Sequence, residues 1–136
     1  MSIASNLRRN VFPIEAVLEA QSCGTVTIAI TSGRIGATVT SRHSSGKLLG
    51  DIADIVIDNH VPVGDVAIEI PDHPARMVPI STLTGVFIPD MVLAGAVAAL
   101  AAGRILVDAY HSPNAPGAGQ SSEVAANRWE RRVVAL

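Results

Sequence analysis

Cysteine is nearly absent, with Cys23 the single one in 136 residues. An internal disulfide is excluded, and the usage fits a reducing compartment, so a cytoplasmic location is expected. No base lies near Cys23 in sequence, and its place near a helix end reads as a small buried hydrophobe rather than a nucleophile. Aromatic residues make up only 3% of the chain although 49% is apolar. The core must therefore come from Val, Ile, Leu and Ala, the composition of a buried parallel sheet with helices packed on it. Charge is also scarce, at 16% of residues with a net of −2. The pairs Arg8-Arg9 and Arg131-Arg132 do not make the basic stripe that nucleic acid requires, and no such partner is expected. The four histidines lack His-x-His and His-x-x-x-His spacing, so no metal is expected. Gly33 and Gly36 fall far short of a dinucleotide fingerprint, and no cofactor is expected. The N-terminus has no apolar stretch of the signal-peptide kind.

One long apolar run is present, from Leu83 to Gly103. Its length suits a membrane span, but Pro89-Asp90 interrupts it and a charge there is costly in lipid. It reads as a buried helix, or one shared with a partner subunit, and no membrane partner is expected. With 136 residues and a mean hydropathy of +0.39, one domain over residues 1–136 is the natural expectation.

The remaining chain alternates strand and helix. Residues 3–6 read as the tail of a strand. Asn10 can cap a helix over Val11 to Ser22, with Pro13 tolerated in its first turn and Gly24 stopping it. Thr25 to Thr31 and Asp54 to Asp58 read as buried strands, with a short helix over Gly46 to Ala53 between them. Val66 to Ile70 reads as a short edge strand, Ser81 to Ala102 as the long helix, and Arg104 to Tyr110 as a further strand. Ser112 to Gln120 reads as a Gly/Pro loop, and a final helix runs from about Ala118 to Val133. This order predicts an α/β, three-layer fold with a mainly parallel sheet and flanking helices. Ligands in such sheets bind at the strand carboxyl ends, where Ser5-Asn6, Ser32, His43 to Lys47 and Asp58-Asn59 fall.

Two hydroxyl-rich turns stand out. Ser41-Arg42-His43-Ser44-Ser45-Gly46-Lys47 follows the first buried strand, and Ser81-Thr82-Leu83-Thr84-Gly85 opens the long helix. Hydroxyls and unpaired N–H groups at a helix start attract anions. The same residue types serve as plain N-caps, so both readings stand. Lys47 adds a point charge suited to phosphate.

The run His43-Ser44-Ser45-Gly46-Lys47-Leu48, then Ala53-Asp54 and Asp58-Asn59, then Pro62-Val63-Gly64-Asp65, then Ser81 to Gly85, resembles the sugar isomerase (SIS) domain family. The likeness covers nearly the whole chain. It implies a flavodoxin-like parallel sheet, a homo-oligomer and a phosphorylated sugar or similar small anion as ligand, held by Ser/Thr-rich loops. By position, Ser5, Asn6, Ser44, Ser45, Ser81, Thr82 and Thr84 are the implied ligand-binding residues; Ser32, Lys47 and Asn59 join them from the strand-end argument.

The chain departs from that pattern in three places. It resembles the C-terminal half of such a domain, without the family's first strand and phosphate loop, so a partner chain carrying the other half is one expectation. Leu7-Arg8 stands where the family has Ser-Gly, and Gly is what allows close approach to a phosphate. Ser112 to Ser122 lacks the acidic and His positions of related sequences, and Gln and Ser are no general bases near neutral pH.

Aldose–ketose isomerisation needs a base and an acid. The residues that could serve are His43, His111 and Glu123, with Glu69 in a solvated segment. Three functions follow: phosphosugar binding without catalysis on its own; a sugar-phosphate isomerase completed by a partner chain or self-association; or a structural subunit assembling through the apolar helix.

Overall fold

A computed structural model describes residues 2–3, 9–36, 39–108, 112, 114, 116 and 118–129. The fold is mixed α/β, and the chain forms two compact units, Met1–Val92 and Leu93–Leu136.

In the first unit, β1 (Ser2–Ile3), β2 (Ile28–Thr31) and β3 (Ile55–Asp58) make a parallel sheet in the order β1-β2-β3. Ile28 to Thr31 pair with Ile55 to Asp58 in register. Helix α1 (Val11–Ser22) connects β1 to β2. It ends where Gly24 takes a φ of 74°, a left-handed conformation without penalty only for glycine. A one-turn helix α2 (Gly33–Gly36) follows β2, and a second, α3 (Leu49–Ile52), precedes β3.

The core joins Val17 of α1, Ala29 of β2 and Leu49 of α3, with Ile52 and Ala53 packed at its margin. Ile14, Ile30 and Val61 are also fully buried, whereas Cys23, expected to be buried, is exposed at the C-cap of α1. These are the aliphatic residues that a chain poor in aromatics has available, and β2 is buried along most of its length. The edge strand β3 instead leaves Ile55 and Val56 about half exposed.

The segment expected as an edge strand does not join this sheet. Strand β4 (Val66–Glu69) pairs antiparallel with β5 (Arg76–Pro79), a strand that the sequence reading missed, in a separate ribbon. A hairpin partner a few residues away costs less loop-closure entropy than a distant sheet edge.

Helix α4 (Ile80–Ala102) runs across the boundary of the two units. The expectation of a buried helix is corrected: none of its residues is buried, and Phe87 and Leu93 are each 64% exposed. Its length and hydropathy of 1.9 are sufficient to cross a membrane, with Pro89 and Asp90 inside the span.

The strand expected over Arg104 to Tyr110 is likewise absent from the described part, Arg104 to Asp108. Arg104 adopts a φ of 56°. Its N–H donates to Ala101 O (2.9 Å), and the Ile105 N–H donates to Leu100 O (2.9 Å). These paired bonds terminate α4 in a Schellman arrangement and use up the first residues of the would-be strand. In the second unit, α5 (Ala118–Trp129) buries Ala125. Arg128 Nη1 and Trp129 Nε1 both donate to Asp108, at 2.8 and 3.0 Å.

Candidate anion-binding site

Parallel pairing gathers the carboxyl ends of β2 and β3 at one edge, where the α1 N-terminus also lies because α1 follows β1. Asn10 is extended there (φ −80°, ψ 151°), and no side chain caps the helix. No acidic residue occupies its first turn. The Asn10 amide oxygen instead accepts from Arg42 Nη1 (3.2 Å), and the Arg42 N–H donates to Arg9 O (2.7 Å). These two bonds fasten the Ser41 to Lys47 turn beside the start of α1.

Within that turn His43 is enclosed, its side chain only 7% exposed. Its Nε2 lies 2.8 Å from Glu15 Oε1 and its Nδ1 lies 2.7 Å from Ser45 Oγ. The Ser45 N–H also donates to Nδ1 (3.1 Å), and the Lys47 N–H donates to Ser45 Oγ (3.2 Å). A ring nitrogen that accepts from a backbone N–H carries no proton. His43 is therefore the Nε2–H tautomer, donating to Glu15 and accepting at Nδ1. Ser44, Ser45 and Lys47 are exposed.

The starts of α2, α3 and α4, the other helices that begin in the first unit, already carry carboxylates. Asp58 Oδ1 accepts from the Gly33 N–H (3.1 Å) at α2 and from the His60 N–H (2.9 Å). The His60 N–H, with the Gly33 N–H and the nearby His60 and Arg34 charges, holds the Asp58 carboxyl below its usual range against the opposing effect of burial. At α3 the Leu48 N–H donates to Asp51 Oδ2 (2.8 Å). At α4 the Ser81 N–H donates to Asp65 Oδ1 (2.7 Å), and the Ser81 hydroxyl donates to Asp65 Oδ2. A carboxylate so placed satisfies the helix dipole and repels a second anion.

The sequence-derived residues therefore separate. Ser44, Ser45, Lys47 and His43 share one turn beside α1. Ser32 is buried and donates to Val61 O (2.7 Å), and Asn59 accepts from the Val61 N–H (3.3 Å), so both brace the loop after β3. Ser81 is occupied by Asp65. Thr84 bonds back to Ile80 O (3.1 Å) within its own helix, and Thr82 is exposed beside it. Glu123 is exposed in the second turn of α5. Ser5, Asn6 and His111 lie outside the described residues.

Glu15 was missed altogether, whereas Arg42, Asp58 and Asp65 were placed in the turn, at the strand end and in the motif without a role of their own. Glu15 is 28 positions from His43, and its one sequence signal was a place early in a helix that follows a strand. Thr31 was also missed: its hydroxyl is buried at the carboxyl end of β2 with no hydrogen-bond partner. Among the described residues no cluster of His, Cys, Asp and Glu could hold a metal.

A shallow hollow of about 270 Å³ lies at the opposite edge, lined by Gln21, Gly24, Thr25, Val26 and Asp54. There the Thr27 hydroxyl (2.7 Å) and N–H (2.8 Å) donate to Asp54 Oδ2, joined by Gln21 Nε2 (3.3 Å). The Thr27 hydroxyl bond is the largest influence holding the Asp54 carboxyl below 3.8, followed by the Thr27 N–H and Gln21. This cluster ties the end of α1 to the residues that open β2 and β3, with its three bonds gathered on Asp54 Oδ2.

No family model matches the chain. It is similar to proteins named UPF0309. It is 35% identical over 134 residues to one from Geobacillus thermodenitrificans, covering 98% of this chain and 54% of that protein. It is 37% identical over 133 residues to one from Thermoanaerobacter pseudethanolicus, covering 96% and 54%. Over a shorter stretch of 68 residues, 50% of this chain and 28% of the relative, it is 47% identical to one from Halalkalibacterium halodurans. The chain thus spans about half the length of the curated relatives it matches.

Proposed function

We propose that the chain binds a phosphorylated small molecule, a phosphosugar first of all, without catalysis on that ligand on its own. The α1 N-terminus and the turn from Arg42 to Lys47 form the site. The observation that carries this reading is a contrast among the helix starts of the first unit. Those of α2, α3 and α4 hold Asp58, Asp51 and Asp65, whereas α1 has neither a side-chain cap nor an acidic first turn. Arg42 is held beside it, and Ser44, Ser45 and Lys47 stand exposed in the same turn. Donors, dipole and cations converge on one anion. The likeness to SIS domains supports a sugar as the remainder of the ligand.

A thermal-shift series with sugar phosphates and inorganic phosphate tests the site. Binding at a hundredfold excess over Kd stabilises by about 2.7 kcal/mol. The shift is expected to vanish in Ser44→Ala/Ser45→Ala and to weaken in Arg42→Ala. Absence of any shift, or a shift that survives both variants, overturns the reading.

A second reading, an aldose–ketose isomerase completed by a partner chain or self-association, draws on His43. An enclosed imidazole backed by a carboxylate is the kind of group that moves protons between adjacent carbons. The exposed α4 supports self-association or a partner chain in either case, and a cytoplasmic setting accords with the lone cysteine.

A further inference from the structure

The geometry points to Ser45 as an activated nucleophile that accepts acyl groups from activated carboxylic esters, with His43 as its general base and Glu15 as a positioning residue. Nucleophile and base are within hydrogen-bond reach at 2.7 Å, and base and carboxylate at 2.8 Å. That sequence of contacts is what hydroxyl activation requires, whichever ring nitrogen faces the serine. The tautomer is the productive one. The Ser45 N–H marks Nδ1 as an acceptor, leaving the Nε2 proton on the side of Glu15. Enclosure of His43 limits its rotation, while Ser45 is open to a substrate.

The arrangement differs from a simple turn hydrogen bond. His73 makes the same local contact, accepting from the Ala75 N–H at 3.1 Å. Among the described residues, however, no carboxylate pairs with its other nitrogen and no hydroxyl faces it. Among the described residues, all three groups line up only at His43.

In the acylation step the Ser45 Oγ–carbonyl carbon bond forms and the ester C–O bond breaks. The hydroxyl proton passes to His43 Nδ1 and then to the departing alkoxide. Water, deprotonated by the same nitrogen, later cleaves the acyl-enzyme and returns the Ser45 hydroxyl with a free carboxylic acid.

The test treats the whole chain with p-nitrophenyl acetate in phosphate-free buffer, followed by tryptic mapping. Cleavage after Arg42 and Lys47 isolates residues 43–47, and fragmentation separates Ser44 from Ser45. Acetylation is expected at Ser45 ahead of Ser44 and Lys47. The rate is expected to fall about a hundredfold in His43→Gln and about tenfold in Glu15→Gln. Glu15→Asp, which keeps a carboxylate, recovers part of that loss; a purely structural role for Glu15 predicts no such difference between folded variants. Melting curves confirm that each variant is folded. No acetylation of wild-type Ser45, equal acetylation of Ser44 or Lys47, or a rate unchanged in folded His43→Gln overturns the proposal. The assay uses no phosphate ligand, so its failure is distinct from failure of the anion-binding reading.

Discussion

Asp65 clasps Ser81 across 16 residues, accepting from its backbone N–H and its hydroxyl at the start of α4. Asp65 also accepts the Ile80 N–H at its own carbonyl (3.0 Å) while holding a φ of 60°. A short polar side chain tolerates that left-handed backbone, and its carboxylate serves as the helix cap.

Replacing this cap has a predictable cost. Asp65→Ala loses the cap and keeps the unfavourable φ, so stability falls by about 1–2 kcal/mol. Asp65→Asn retains an acceptor and the conformational tolerance, and should lose about half as much or less. Urea unfolding of the two variants measures the difference; equal losses would show that the cap contributes nothing.

Asp54 predicts an acid response. Its carboxyl is held below 3.8 by the Thr27 hydroxyl, the Thr27 N–H and Gln21. A group depressed by folding contributes stability that is fully present above its unfolded value and is lost as pH falls through the folded value. Melting temperature should therefore decline below about pH 4, with a shallower decline in Asp54→Asn. Parallel pH profiles for the two proteins would refute a role for Asp54.

Gly33 is pressed against Asp58. A Cβ at Gly33 would meet Asp58 Oδ2 at 2.8 Å, well inside contact distance. Gly33→Ala should displace the carboxylate from the Gly33 and His60 N–H groups and cost about 1–3 kcal/mol. Titration by NMR should show the Asp58 carboxyl moving up towards its usual range. A neutral substitution with unmoved chemical shifts would contradict this close contact.

The exposed apolar surface of α4 predicts self-association. Leu83, Val86, Phe87, Met91 and Leu93 are each more than half exposed, and contiguous apolar surface of this kind marks an interface. Light scattering should find a dimer or larger species, shifted towards monomer by Phe87→Glu. A wild-type monomer at high micromolar concentration would remove this expectation.

Much of the fold was legible because it is local. The α1 limits, Gly24 as its stop and the aliphatic runs of β2 and β3 follow from residue conformational preference and periodicity. Hydroxyl-rich turns could likewise be read as anion sites or caps, because the same side chains serve both. Sequence could not choose between them, since the choice depends on which distant carboxylate arrives. Tertiary structure brought Asp65 to Ser81 and Asp58 to Gly33, and left α1 without such a partner. It also decided that β4 pairs with β5, that Arg104 and Ile105 terminate α4, and that Glu15 reaches His43. The sequence by itself determined an aliphatic α/β chain with one serine-rich turn after β2. Only the fold decided where charge is already compensated, because Coulombic and hydrogen-bond partners are set by distance in space and not along the chain.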